Sequence, residues 1–251
     1  MSKPLRTKKP VLRRRPNSGR KLQPARAISA ANKVVAEVRE SLLANRFKAG
    51  DFLGTEATLA EYFGIGRSPL RDALRSLEAM GIIEIRVGLG GGVYVAQGNP
   101  DMFAEVMAIQ LILMGSTLEE LLYAIWAVEG MAVDLAIDHC TDGDLETFFE
   151  VLSDLKILLG KPEKFVSRSV DFHAAIVNAS HSRVLIAQAR MLRHILFAHY
   201  SRVVTPQAAQ NVFKSLTKLA QKLRARNRAG AHSQLTAHYN QAREFLLQSG
   251  Q

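Results

Sequence analysis

Cysteine is nearly missing from this chain: Cys140 stands alone. One thiol excludes an internal disulfide and any cysteine-rich zinc site, and it suits a reducing cytoplasm. Long apolar runs are missing too. No run of about 18 apolar residues occurs, because Glu or Asp interrupts the longest stretches, so no membrane span is expected. The basic N-terminus has no apolar core behind it, which argues against a secretory signal. A P-loop, a Rossmann glycine pattern and a Ser/His/Asp spacing are all absent, which removes the common enzyme signatures. Acid is missing from residues 1–26, which carry ten Lys or Arg. That tail alone accounts for the net charge of +10, since the rest of the chain holds 23 basic and 23 acidic groups. With Pro4, Pro10, Pro16 and Pro24 and no helical period, it reads as a disordered basic arm. Such an arm either adds salt-sensitive phosphate contacts or is a solvated tail without a dedicated role.

What is present is organised around residues 59–95, LAEYFGIGRSPLRDALRSLEAMGIIEIRVGLGGGVYV. The stretch predicts a helix, a tight turn, a second helix, then two strands joined by a glycine tip. In the second helix Arg67, Arg71 and Arg75 recur every four residues, which sets three guanidiniums along one face. Leu70, Ala73, Leu74 and Leu77 take the opposite face and should be buried. Gly64 can supply the left-handed corner after the first helix. The second helix is expected to open at Arg67 or Ser68, with Ser68 as a capping residue and Pro69 in its first turn. Two helices joined this way form a helix-turn-helix, whose second helix enters the DNA major groove. Gly88, Gly90, Gly91 and Gly92 are either an ordinary hairpin turn or a wing whose backbone approaches phosphate or the minor groove.

Residues 33–97 resemble the winged helix of the GntR family of bacterial transcription regulators. The run FGIGRSPLRDALRSLEAMGII carries the likeness, with RFKAGDFL before it and GLGGGVYV where the family's wing belongs. The resemblance implies that Arg67, Ser68, Pro69 and Arg71 approach the operator, with Gly88 and its neighbours in the wing. Arg reads guanine O6/N7 and also clamps phosphate, and which arginine does which stays open. Two positions depart from the family pattern. Gly66 replaces a usual Ser or Thr, and Ala57 stands where some relatives carry an Arg.

A helix is also expected from Ala27 onward, over Val34, Val35, Val38, Leu42 and Leu43. Residues 27–97 hold eight basic and eight acidic side chains, so DNA affinity must come from placement and not from bulk charge. Beyond residue 100 no strand pattern occurs. Helical spacing covers Asp101–Met114, Thr117–His139, Asp144–Leu159, Glu163–Ala179, Arg183–Val204, Gln207–Asn227 and Ala231–Gln248. Gly115, Asp142-Gly143, Gly160, Pro206 and Gly230 punctuate them. The expected fold is therefore mainly α, with a disordered arm (1–26), a winged helix-turn-helix with a small β-hairpin (27–97), and an antiparallel bundle of six to seven helices (98–251).

That bundle resembles the FCD effector domain of the family's FadR branch, through LEELLYAIWAVEGMAVDLAI, VDFHAAIVNAS and AHSQLTAHYNQAREFL. Many members of the branch hold a metal with an Asp, a His four residues on, and two later His. Here His173 and His238 match two of those ligands, while Ser169 and Leu216 stand where the other two belong. His194 or His199 could substitute for one. No metal and no cofactor is expected, and the effector pocket is assigned to Ile125, Glu129, Ser169, His173, Leu216 and His238. Ile125 replaces the family's effector-side Arg, so the pocket is expected to be apolar and to suit an acyl-CoA, a fatty acid or another organic acid. The whole chain is then expected to be a cytoplasmic, nucleoid-associated homodimer that represses genes from a palindromic operator, with no membrane partner. The alternatives are a metal-dependent organic-acid sensor of the same family, a bundle enzyme using Asp171, His173 and His238, or an architectural DNA-binding protein without an effector.

Overall fold

The computed structural model describes residues 29–200 and 205–249. The expected basic arm lies outside them, as do the side chains of His194 and His199. Two compact units divide between Ala96 and Gln97.

The first unit opens with α1 (Ala30–Leu43), started by the Ser29 hydroxyl accepting from the Asn32 amide at 3.2 Å. Helices α2 (Glu56–Phe63) and α3 (Arg67–Ala79) follow, and Gly64 closes α2 at φ +61°, the left-handed corner expected of it. Thr55 and Thr58 cap α2 reciprocally: each backbone amide donates to the other's hydroxyl, at 2.9 and 3.2 Å. Leu70, Ala73, Leu74 and Leu77 are all buried, and Val34 of α1 joins them. Each such aliphatic side chain contributes about 1.5–3 kcal/mol by leaving water. The expected hairpin, β2 (Ile83–Arg86) with β3 (Gly92–Val95), pairs Ile83 with Val95 and Arg86 with Gly92. A strand not anticipated from sequence, β1 (Phe52–Gly54), lies on the far edge of β3, so the antiparallel order is β1-β3-β2.

Among the described residues the second unit is seven helices: α4 (Asp101–Leu113), α5 (Leu118–His139), α6 (Asp142–Ile157), α7 (Pro162–Ala179), α8 (Arg183–Tyr200), α9 (Pro206–Arg224) and α10 (Arg228–Ser249). Helix α5 packs against α7, α8 and α10, around a core that includes Phe148, Phe165 and Phe172. Two boundaries differ from expectation for a capping reason. Thr141 caps α6 and Asp144 closes the box from its third position, so Asp142-Gly143 forms the first turn instead of a break. Likewise α10 begins at Arg228 and takes Gly230 into its first turn, where the Gly230 amide donates to Asn227 Oδ1 at 2.8 Å. Arg226 closes the C-terminal end of α5, donating to the carbonyls of Ala136, Ile137 and Cys140 at 3.0, 2.7 and 2.6 Å. Among the described residues no helix is long and apolar enough to cross a membrane.

Candidate functional site

Burying one face of α3 dictates what the other face presents. Arg67, Arg71 and Arg75 are all exposed, opposite the buried leucines. Arg67 and Arg75 form no ion pair among the described residues. Arg71 does: its Nε donates to Glu56 Oε2 at 2.8 Å. Glu56 opens α2, so the helix that precedes the turn holds a side chain of the helix that follows it. Because Nε is the atom engaged, both terminal nitrogens of the Arg71 fork stay available to another acceptor. Sequence reasoning did not single out Glu56, since nothing in local spacing links it to a position on the next helix.

The start of α3 corrects one expectation. Gly66, and not Ser68, is the N-cap, with φ −69° and ψ 161° and no side-chain cap. Ser68 and Pro69 therefore occupy the second and third helical positions; Ser68 is exposed and Pro69 half-buried. Pro69 fits there because first-turn amides have no partner inside the helix, so its missing N–H costs nothing. The amides of Arg67 and Ser68 receive no side-chain acceptor, and the helix dipole makes this end favourable for an anion such as phosphate.

Between β2 and β3 the glycines set a defined tip. Gly88 and Gly90 have φ +97° and +80°, conformations that L side chains rarely adopt. At Gly91 a Cβ would lie 2.7 Å from the Arg86 carbonyl oxygen and 2.8 Å from that of Gly88, so the backbone folds too closely for any side chain. Val87 and Leu89 project from this tip with essentially full exposure. Behind them the Tyr94 hydroxyl donates to the Gly90 carbonyl at 2.7 Å, and the Arg86 guanidinium stacks 4.2 Å from the Tyr94 ring centre. The alternation in IEIR and GVYV carried the signal for Arg86 and Tyr94, which share one face of the hairpin.

The second unit contains a cavity of about 290 Å³. Ile125 and Glu129 from α5, Ser169 and His173 from α7, and His238 from α10 all line it. Leu216 does not: it is completely buried in the core beside the cavity and is not a wall residue. Glu129 is completely buried, and its Oε2 meets His173 Nδ1 at 2.8 Å, while its other oxygen has no partner among the described residues. The imidazoles of His173 and His238 lie 5.1 Å apart, and His238 Nδ1 is 3.2 Å from Ser215 Oγ. Burial, reinforced by His173, pushes His238 down to about 3, so its ring is neutral near pH 7. The Ser169 hydroxyl donates to the Val166 carbonyl at 2.8 Å. Asp171 pairs instead with Arg168 at 2.9 Å, so the set Asp171, His173, His238 is not assembled.

The family's metal does not fit this donor set. Ser169 and Leu216 replace two ligands, and among the described residues no three His, Cys, Asp or Glu side chains gather to hold an ion. A residue that sequence reasoning missed changes the character of the wall. Arg193 of α8 lines the cavity with Nη1 buried and unpaired among the described residues. Burial lowers its pKa from the usual arginine range, and the charge of Glu129 opposes that shift. The cavity expected to be apolar, because Ile125 replaces an arginine on α5, thus receives its cation from another helix. Phe165, Val166, Val170, Val212 and Phe245 make up much of the remaining lining.

Comparison with known proteins agrees with both halves of this description. Residues 30–95 match the family described as "Bacterial regulatory proteins, gntR family", and residues 120–241 match the FCD domain. The chain is 26% identical over 211 residues to the HTH-type transcriptional regulator LutR of Bacillus subtilis (strain 168), an alignment covering 79% of this chain and 93% of LutR. It is 29% identical over 140 residues to the Uxu operon regulator of Haemophilus influenzae, covering 56% of this chain and 50% of that protein. The solved structure of Streptococcus agalactiae GntR has the same fold, with a TM-score of 0.61 at 20% identity, covering 85% of this chain and 99% of that one.

Proposed function

With the chain a transcription regulator of the GntR family that carries an FCD domain, we propose that it is a homodimeric repressor of the FadR branch, released from a palindromic operator by a small acidic metabolite. The observation that carries the DNA half is the outward face of α3, where three exposed guanidiniums stand over a buried leucine face. A recognition helix reads the major groove with such side chains, and the amides of Arg67 and Ser68 are placed to take a phosphate. The glycine tip, with Val87 and Leu89 exposed, suits contact beside or within the minor groove. A two-fold protein on a two-fold site doubles these contacts, and DNA as the partner places the protein on the nucleoid in the cytoplasm.

Arg193 supports an acidic effector. A buried guanidinium donor without an acceptor attracts a carboxylate far more than it would in water. The volume of about 290 Å³ favours a compact acid. Coupling between cavity and operator would follow from the ligand's preference for one arrangement of the two winged helices.

The test is operator selection from randomised duplexes, then fluorescence anisotropy with a panel of short carboxylic, hydroxy and amino acids. A single palindrome should be enriched, and at least one acid should weaken binding by a factor in the range of about 5 to 150. An absence of any preferred sequence would refute the DNA half. A selected operator whose binding no acid alters would refute the effector half.

A further inference from the structure

We infer that the metabolite is a zwitterion: a small amino acid whose carboxylate meets Arg193 and whose ammonium meets Glu129. This rests on the reading above, that the cavity takes a small acid, and adds a second charge to it.

Two buried side-chain atoms lack a hydrogen-bond partner among the described residues: Glu129 Oε1 and Arg193 Nη1. Buried polar atoms are nearly always paired, so each exception asks for a reason. These two have opposite sign, and the residues that carry them both line the same cavity. They do not satisfy each other, for no ion pair joins Glu129 to Arg193. Glu129 is held in place by His173 through its other oxygen, which leaves Oε1 as a fixed acceptor. Nη1 of Arg193 is a buried donor on a residue of the same wall.

A plain carboxylate answers only half of this arrangement. It would pair with Arg193 but bring a second negative charge to a cavity that already encloses the Glu129 carboxylate. A plain amine has the converse defect beside the Arg193 cation. A molecule carrying both groups satisfies both atoms and leaves the cavity electrically balanced. The neighbouring His238 ring is neutral and does not repel an ammonium. Phe165, Val166, Val170 and Val212 surround the remaining space, so the side chain of the amino acid is apolar.

Calorimetry on the full chain, treated with EDTA, tests this with four compounds on one carbon frame: L-leucine, 2-hydroxy-4-methylpentanoate, 4-methylpentanoate and 3-methylbutylamine. Matching series on the valine and phenylalanine frames extend it to smaller and larger side chains. On at least one frame the amino acid should bind about ten- to a hundredfold more tightly than its three partners, the range of one charge-assisted hydrogen bond. Equal or tighter binding of the plain or hydroxy acid overturns the zwitterion and leaves the acidic-effector reading standing. No binding by any acid or amino acid, with operator affinity unmoved, overturns the effector reading itself. Binding that appears only after zinc or manganese is restored overturns the zwitterion in favour of a metal-held acid. The Glu129→Gln protein should lose the preference for the amino acid over the plain acid and bind the plain acid at least as tightly as before, while Arg193→Gln should lose affinity for both. If Glu129→Gln fails to fold by circular dichroism, the wild-type preference decides alone.

Discussion

Glu56 offers the most discriminating perturbation of the DNA-reading face, because it tests whether Arg71 is positioned or sequestered. The pair lies at the surface, with 59% of the Arg71 side chain and 38% of Glu56 accessible. An ion pair so placed contributes only about 0.2–1 kcal/mol to folding, and salt screens it. Glu56→Ala should therefore leave the melting temperature almost unchanged. Its effect belongs to DNA binding. Fixing one long side chain beforehand avoids an ordering cost of about 0.5–1.5 kcal/mol on association. Since Nε is engaged and the terminal nitrogens are free, the pinned fork can still grip guanine O6/N7, a contact that discriminates by about 1–3 kcal/mol. Removing Glu56 also deletes a negative charge near phosphates, which tightens binding to any sequence. The useful readout is therefore the ratio of affinities for the selected operator and a scrambled duplex, measured by anisotropy at two salt concentrations. Arg71→Ala should lower that ratio by about 5- to 150-fold. Glu56→Ala should lower it by about 2- to 10-fold, and should have no effect once Arg71 is gone. A ratio that rises on Glu56→Ala would show that the carboxylate competes with DNA for Arg71. Additive losses in the double variant would show that the two act independently. Either result refutes the positioning argument.

Two further outcomes follow from the wing and the cavity. Gly91→Ala should destabilise the winged-helix unit and weaken operator binding more than Gly90→Ala. The first drives a Cβ to 2.7 Å from a backbone carbonyl, whereas the second meets open space and only the left-handed strain of about 1–2 kcal/mol; chemical denaturation together with anisotropy checks the order. His238, pushed from 6.5 to about 3 by burial, stabilises the helical unit above its unfolded pKa and loses that contribution as pH falls. Between pH 7 and pH 5 the loss should be about 2 kcal/mol, and denaturant titrations of His238→Gln should show a flatter pH dependence over that interval.

Local chemistry made much of the first unit legible. The leucine face of α3, the corner at Gly64 and the glycine tip all follow from spacing and from what only glycine tolerates, and each stands where those rules put it. Strand β1 was not legible. Three residues are too few to display a period of two, and Phe52 becomes strand only by pairing with Tyr94, far along the chain. The N-cap of α3 failed for a different reason. Ser68 is a good capping residue in general, but Gly66 already provides the extended backbone, and the preference of a residue type does not fix the register of a helix start.

The effector cavity marks the deeper limit of one-dimensional reasoning. Replacing an arginine by Ile125 on α5 looked like the loss of the cavity's cation, and that inference counted only one wall. Arg193 lies seven residues after Ile186 and four after the fully buried Ala189, so its inward direction was legible in the period of α8. What the period of one helix cannot supply is which inward residues of different helices meet. Glu129 and Arg193 share a cavity because α5 and α8 pack side by side. Leu216 is buried in the core and off the wall, although its position along α9 matched a ligand. Charge at a bundle cavity is a property of the helices that enclose it together. A substitution on one of them says little about the sign of the ligand until the other walls are known.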